Sequence, residues 1–289
     1  MREFENMNDD AVEFGKPSEQ RAFNARHQDF VAYLPSLEKL GNAVFNGKLT
    51  LSGEADLVIC LLGGRSFEEF NEILLLCANG YGIAAMRLLR GLFETALTAR
   101  FLHVNPERIA DYLDFATIDE FKFLQAKRRI DGESSVDQGQ FEAVRKERDA
   151  MLSRYTIPCK KCGEPGPAPS WFRGGVPSMV DAVGPELRAL LLQAYYEPTR
   201  RIHASVRSIL ERMQKNLNGS LSFDVDSQHR QADWVICTSH GLLLSAIELQ
   251  VEHFGLKMEG ELQIHNEAFT GFWRSRKGGE SESDGQTPR

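Results

Sequence analysis

The chain has 289 residues, 42% of them hydrophobic and 26% charged, with a net charge of -7. That length fits one large domain or two small ones with ample apolar material for a core, and the acidic balance provides no bulk basic field, so nucleic acid is not favoured as a partner. No uninterrupted apolar run approaches the roughly 20 residues that span a bilayer. The polar start MREFENMNDDAVEFGK has no signal-peptide apolar region, and the five cysteines are too few and odd in number for a disulfide framework. No membrane association and a cytoplasmic location are therefore expected.

Residues 1–18 read as a disordered acidic tail. Ala22, Phe30, Leu34, Leu37, Leu40 and Val44 recur at helical spacing and predict a first helix over 19–45, kinked or split at Pro35. A short helix over 54–62 is expected to stop at Gly63-Gly64. Ser66 and Glu69 then read as the capping box of a new helix that ends at Gly80. The next stretch, GYGIAAMRLLRGLFETALTARFL (80–102), is apolar almost all round and predicts a central buried helix. Its polar residues Arg87, Arg90, Glu94 and Thr98 fall within roughly 80° of one another, in one seam. Buried charge is costly unless paired, so this seam requires partners.

Pro106 opens an amphipathic helix that forms, with 138–154, a charge-rich hairpin. Residues 156–178 form an irregular loop insert. Helices over 184–196 and 198–217, a linker over 218–226 and a long helix over 227–254 follow, then a short amphipathic segment to 272 and a disordered polar tail. The organisation predicted is all-α: a helical domain over 19–256, with roughly seven to nine helices in a single bundle around the helix 80–102, and a terminal segment over 257–289.

Three sets of residues could carry chemistry. Tyr195, Thr199 and His203 are spaced by four and share a helix face with Val206 and Leu210, which marks that face as inward-looking if the helix is continuous. This second seam could meet the first. Glu94 would then hold His203 or the Tyr195 hydroxyl, leaving Arg87 and Arg90 as forked donors for a carboxylate or phosphate, and His203 placed to act as a general base. Cys159 and Cys162, in CKKCGEPG, form a knuckle of the kind that binds zinc, but a structural site needs four ligands and no second CxxC exists. His240 lies mid-helix and reads as a satisfied core histidine.

Two stretches carry a family resemblance. LLGGRSFEEFNEILLLCANGYGIAAMRLLRGLFETALTARFL, taken with SWFRGGVPSMV and YYEPTRRIHAS, resembles the bacterial helical family DUF5677 over roughly 55–255. The resemblance implies an Arg–Glu pairing in the central helix, here Arg90 and Glu94. It also implies a Tyr–Ser–His series spaced by four and followed by a small residue and Ser, here Tyr195, Thr199, His203 and Ser205, with Thr199 in place of the more usual Ser. There is also a distant likeness to HEPN-type helical domains, many of them RNases or defence-system partners. Their chemistry rests on an arginine followed four to six residues later by histidine in a late helix. Arg200 and Arg201 are too close to His203 to fit, and Arg21 with His27 has the spacing but in the wrong helix.

The leading expectation is a binding or regulatory module for an anionic, phosphate-bearing ligand, built on a buried cluster of Arg87, Arg90, Glu94, Tyr195, Thr199 and His203. One alternative is an RNase or nucleotide hydrolase using His203, Glu94 and Arg90. Another is a protein-interaction or homo-oligomeric module using helices 106–154.

Overall fold

The computed structural model describes residues 15–47, 49–158, 161–202, 206–210, 212–216, 219–223 and 227–274. It is all-α apart from two short hairpins, β1(Thr156–Pro158) with β2(Pro165–Pro167) and β3(Met213–Lys215) with β4(Leu221–Phe223), each antiparallel. The chain divides into two compact units, one of residues 1–48, 63–96 and 192–289, the other of 49–62 and 97–191. The segment 19–256, expected to form one bundle, is thus shared between them.

In the first unit the chain opens with α1(Pro17–Arg26) and α2(Gln28–Phe45). The break falls at His27 rather than at Pro35, which sits inside α2. His27 leaves helical geometry (φ -121°, ψ 33°) and buries its ring, with Nε2 2.6 Å from Asp233 Oδ1, so a long-range contact sets the break.

Helix α3(Glu54–Ala78) then runs without a stop through Gly63-Gly64. Its second half belongs to the first unit, as does most of α4(Gly82–Val104). Gly63 is a contact point, because a Cβ there would lie 2.5 Å from the Gln250 side chain. Ser66 lies inside the helix, fully buried, rather than at a cap. Helix α4 buries Ala85, Met86, Leu89, Leu92, Phe93 and Ala96 at 4% exposure or less.

Helix α11(His229–Phe254) is the other core element of this unit, and α12(Glu259–Arg274) closes it. By length and hydropathy α11 could cross a membrane, but 72% of its apolar window is buried inside the protein, as expected of a core helix. It is tied to the start of α4 through Gln228, whose backbone N–H donates to Gly80 O (2.9 Å) and whose side-chain Oε1 accepts from Ile83 N–H (3.0 Å). A Cβ at Gly82 would stand 2.5 Å from Gln228 O and 2.6 Å from Ala232 N.

In chain order, α8(Pro185–Leu190) passes into a π-helical turn, Leu191–Tyr196, then α9(Glu197–Ile202) and α10(Val206–Leu210). The helix expected to reach 217 ends by Leu210, and the chain turns into the β3–β4 hairpin. Val206 and Leu210 are 72% and 56% exposed, so they do not face inward as their spacing predicts. Thr199, Val206 and Leu210 all lie beyond the π turn, and their spacing alone does not fix which side of α10 is covered.

The second unit contains α5(Ile109–Asp131), α6(Gln138–Met151), α7(Gly175–Val183), α8 and the first hairpin. Its core joins Phe115, Ile118, Tyr155 and Ala168, packed by Met151, Ile157 and Trp171. The stretch read as an irregular insert therefore supplies both a hairpin and core side chains. Trp171 and Phe172 anchor it edge-on and tilted against Phe101, at 5.8 and 4.7 Å.

These contacts set opposite outcomes for two glycines. Gly82→Ala should destabilise the protein by about 1–3 kcal/mol, since the added methyl meets backbone that cannot move aside. Gly64→Ala has open space at its Cβ and a helical backbone, so it should stabilise by about 0.5–1 kcal/mol. Urea unfolding of the two variants checks both signs.

Candidate functional site

The polar seam of α4 does not face the core. Arg87 is exposed, and the side chains of Arg90 and Glu94 retain 27% and 40% of their accessible surface. The cluster expected to be buried is therefore half-open. The physical reason is visible along the helix: the fully buried residues lie on the opposite arc, and no buried charge has to be neutralised at 87, 90 or 94.

The structure nonetheless brings Arg90 to Tyr195. Arg90 Nε donates to Glu94 Oε1 at 2.9 Å, and the guanidinium carbon lies 4.8 Å from the Tyr195 ring centroid. Phe93 meets the other side of this corner, 6.4 Å between ring centroids. Tyr195 belongs to the π turn, and the Thr199 hydroxyl donates back to Tyr195 O (2.5 Å) instead of pointing at a ligand. Among the described residues no acceptor engages the Nη groups of Arg90. A planar donor edge, oriented by a ring and a carboxylate, is thus presented at the surface. His203 and Ser205 lie outside the described residues, and so does the expected contact of His203 with Glu94.

Sequence reasoning missed the carboxylate that is buried here. Glu69, read as half of a capping box, is 6% exposed and accepts from Arg65 Nε at 3.0 Å. It lies against the Gly91 backbone, where a Cβ would be 3.3 Å from its Oε1. Burial pushes its pKa up, and Arg65 and the Thr95 hydroxyl partly offset that shift. The signal was present as Arg-x-x-x-Glu at 65–69, the same spacing as at 90–94, but spacing cannot reveal which of two such pairs is covered.

Away from this corner, α11 holds a second polar centre. His240 is fully buried within reach of Phe30, Tyr33, Phe70 and Phe269, with ring centroids 5.1–6.3 Å away. Trp273 Nε1 donates to His240 Nδ1 at 3.2 Å. Indole can only donate, so Nδ1 must accept and the ring proton sits on Nε2. That nitrogen has no partner among the described residues, so the expected core histidine is satisfied on one side only. Burial, reinforced by His265, lowers the His240 pKa to about 3. The Tyr33 hydroxyl bonds His265 Nδ1 in the same layer. Nearby, burial pushes the Asp233 pKa up, but its bond to His27 and the neighbouring Arg26 outweigh this and hold it below the usual range.

Cys159 lies outside the described residues and Cys162 is an exposed free thiol. Among the described residues no cluster of three or more His, Cys, Asp or Glu side chains could hold a metal ion. Arg21 is exposed whereas His27 is buried on Asp233, so this pair, singled out by its spacing, does not share an environment.

A family of unknown function, DUF5677, matches residues 56–221, more than half of the chain. The chain belongs to this family. The DUF5677 segment takes in Glu69, Arg90, Glu94, Tyr195 and Thr199, and it stops before α11 and α12, short of the limit of 255 suggested by the sequence resemblance. No curated protein and no solved structure matches the chain.

Two variants probe these centres. Arg65→Ala strips the cation from a buried carboxylate and should cost about 1–3 kcal/mol at neutral pH. The loss should shrink at pH 4, where a protonated Glu69 no longer needs the guanidinium; an equal loss at both pH values, by urea unfolding, would refute this role.

For His240 the folded-state pKa is depressed, so below about 6.5 the unfolded chain takes up the proton first. Stability is then lost as pH falls from about 6.5 towards 3, with a contribution approaching 1.4 kcal/mol per pH unit. In His240→Leu the slope of stability against pH over that window should flatten, whatever the change in absolute stability.

Proposed function

We propose that the chain is a cytoplasmic bacterial binding or regulatory module whose Arg90–Tyr195 corner takes an anionic, phosphate-bearing ligand. The observation that carries the reading is the fixed orientation of Arg90. Its Nε edge is held by Glu94 and its plane lies near the Tyr195 face, so little rotamer entropy remains to be lost when an anion meets the Nη edge. Arg87, exposed one turn earlier on the same helix, adds a second cation within reach of the same ligand. Glu94 and Thr199 position the donors in this reading and do not contact the anion. The cytoplasmic part of the reading is supported by the thiols at Cys60, Cys77 and Cys162, which form no disulfide.

The test is a thermal-shift screen with inorganic phosphate, pyrophosphate and nucleotides, because a ligand that binds only the native state raises its stability. A binding anion should raise the melting temperature of the wild type. Arg90→Ala should abolish that rise while keeping the unliganded melting temperature close to wild type, as expected for a half-exposed pair worth about 0–1 kcal/mol. Arg87→Ala should weaken it. An identical rise in Arg90→Ala, or no rise with any anion, would overturn the proposal.

A further inference from the structure

From α10 into the β3–β4 hairpin the chain turns its apolar side chains to water. Val206, Ile209 and Leu210 are spaced by three and four, one stripe on one helix face, and they are 72%, 47% and 56% exposed. Leu221 and Phe223 share one face of the hairpin and are 63% and 55% exposed. The two surfaces adjoin: Arg212 N–H donates to Ile209 O (3.0 Å), and the Arg212 guanidinium carbon lies 5.1 Å from the Phe223 ring centroid. A stripe at this spacing is a face built to be covered, and in the single chain it is largely open.

The backbone of β4 is open along the same edge. Asn216 N–H donates to Ser220 O (2.8 Å), and hydrogen-bonded pairs alternate along an antiparallel ladder, so the next such pair is Gln214 with Ser222. The N–H and C=O groups of Leu221 and Phe223 therefore point away from β3, and among the described residues no backbone group meets them. Leu221–Phe223 carries no proline and no charge, the devices that keep a strand edge from pairing. By contrast, β3 has Lys215 within the strand and Arg212 just before it.

We propose that a second copy of this chain covers this face, by two-fold antiparallel pairing of β4 with its own copy about Ser222. The register is self-complementary. Leu221 stands opposite Phe223 across the axis, in both directions, and the two exchange the backbone bonds that each lacks; Ser222 stands opposite itself. Apolar side chains meet apolar side chains, and the two Lys215 residues fall on the outer strands, roughly 14 Å or more apart, beyond the screening length of about 8 Å at physiological salt. A lone two-stranded hairpin is marginal in water, whereas a four-stranded sheet with an apolar face is not. The area also fits. The exposed parts of Val206, Ile209, Leu210, Leu221 and Phe223 offer on the order of 500 Å² of apolar surface per copy. A standard interface buries about 800 Å² per partner, about 65% of it apolar between identical subunits, which comes to the same area. A different protein would have to supply both a matching edge and a matching apolar face; the chain already carries both.

Sedimentation velocity of the full chain is the test. Wild type at about 50 μM should run as a dimer that dissociates on dilution, as expected of an interface of this size. Phe223→Lys should weaken association at least tenfold with its melting temperature retained, since position 223 is exposed. Ile264→Lys, at a similarly exposed apolar position on α12, should leave association unchanged. Cross-linking in a Cys159→Ser, Cys162→Ser background reads the register. Opposed residues of a non-hydrogen-bonded pair have Cα atoms about 4.5 Å apart, within disulfide reach, so Ser222→Cys should oxidise to a covalent dimer with oxidised glutathione. Leu221→Cys, whose two copies lie in different rows, should not. The proposal is overturned if wild type stays monomeric at about 50 μM, which would leave the face to a different protein. It is also overturned if Phe223→Lys dimerises like wild type, if Ile264→Lys weakens association as much, or if Ser222→Cys links no faster than Leu221→Cys.

Discussion

Close approach of helices at glycine is the constraint on which the first unit depends. Gly82 sets the backbone of α4 against Gln228 and Ala232, Gly63 sets α3 against Gln250, and Gly91 leaves the space that Glu69 occupies. At Gly82 and Gly63 a methyl group would overlap backbone or a side chain packed in the core, whereas at Gly91 the Glu69 carboxylate would have to give by a few tenths of an ångström. Once α3, α4 and α11 are fixed at these points, the remaining side chains have little choice of surroundings. His240 comes to lie among aromatic rings, Glu69 becomes buried, and Arg90 is left at the edge with Tyr195.

The consequence for charge is a division of labour along α3 and α4. Both helices carry an Arg and a Glu four residues apart, with nearly the same bond, 3.0 Å at Arg65–Glu69 and 2.9 Å at Arg90–Glu94. In the first pair the carboxylate is covered and the cation remains half-exposed; in the second both partners stay partly wet. A covered carboxylate is expensive to leave unpaired, which makes the inner pair a structural commitment. The outer pair costs little and holds a guanidinium in a fixed orientation, which suits recognition.

The outer side of α12 follows from the same geometry. The buried arc of α12 carries Leu262, His265 and Trp273. One side of α12 thus packs into the aromatic and histidine layer, and another carries Glu259 and Glu267. The anion-binding reading at Arg90 and the acidic side of α12 are thus opposite in sign and lie on different helices.

The sequence by itself determined the all-α class, the span of the central helix to within two residues, the α5–α6 hairpin, the long helix at 229–254 and the family. Each is written in local periodicity, in capping residues or in a contiguous motif, and needs no knowledge of distant partners. It also suggested that the α4 seam and the Tyr195 face approach one another, with Glu94 as the group that holds Tyr195 or His203; in the structure it is Arg90 that lies over the Tyr195 ring, and His203 is outside the described residues. The tertiary structure alone decided that α3 passes through Gly63-Gly64, that the first break falls at His27 and not Pro35, that Glu69 is buried while Arg87 is exposed, and that Val206 and Leu210 face water. A glycine pair reads the same whether it ends a helix or receives a neighbour's side chain, and an Arg–Glu spacing reads the same on a wet face or a covered one. Only the neighbour distinguishes them, and it comes from another helix: Gln250 of α11 against Gly63, and Gly91 and Thr95 of α4 against Glu69.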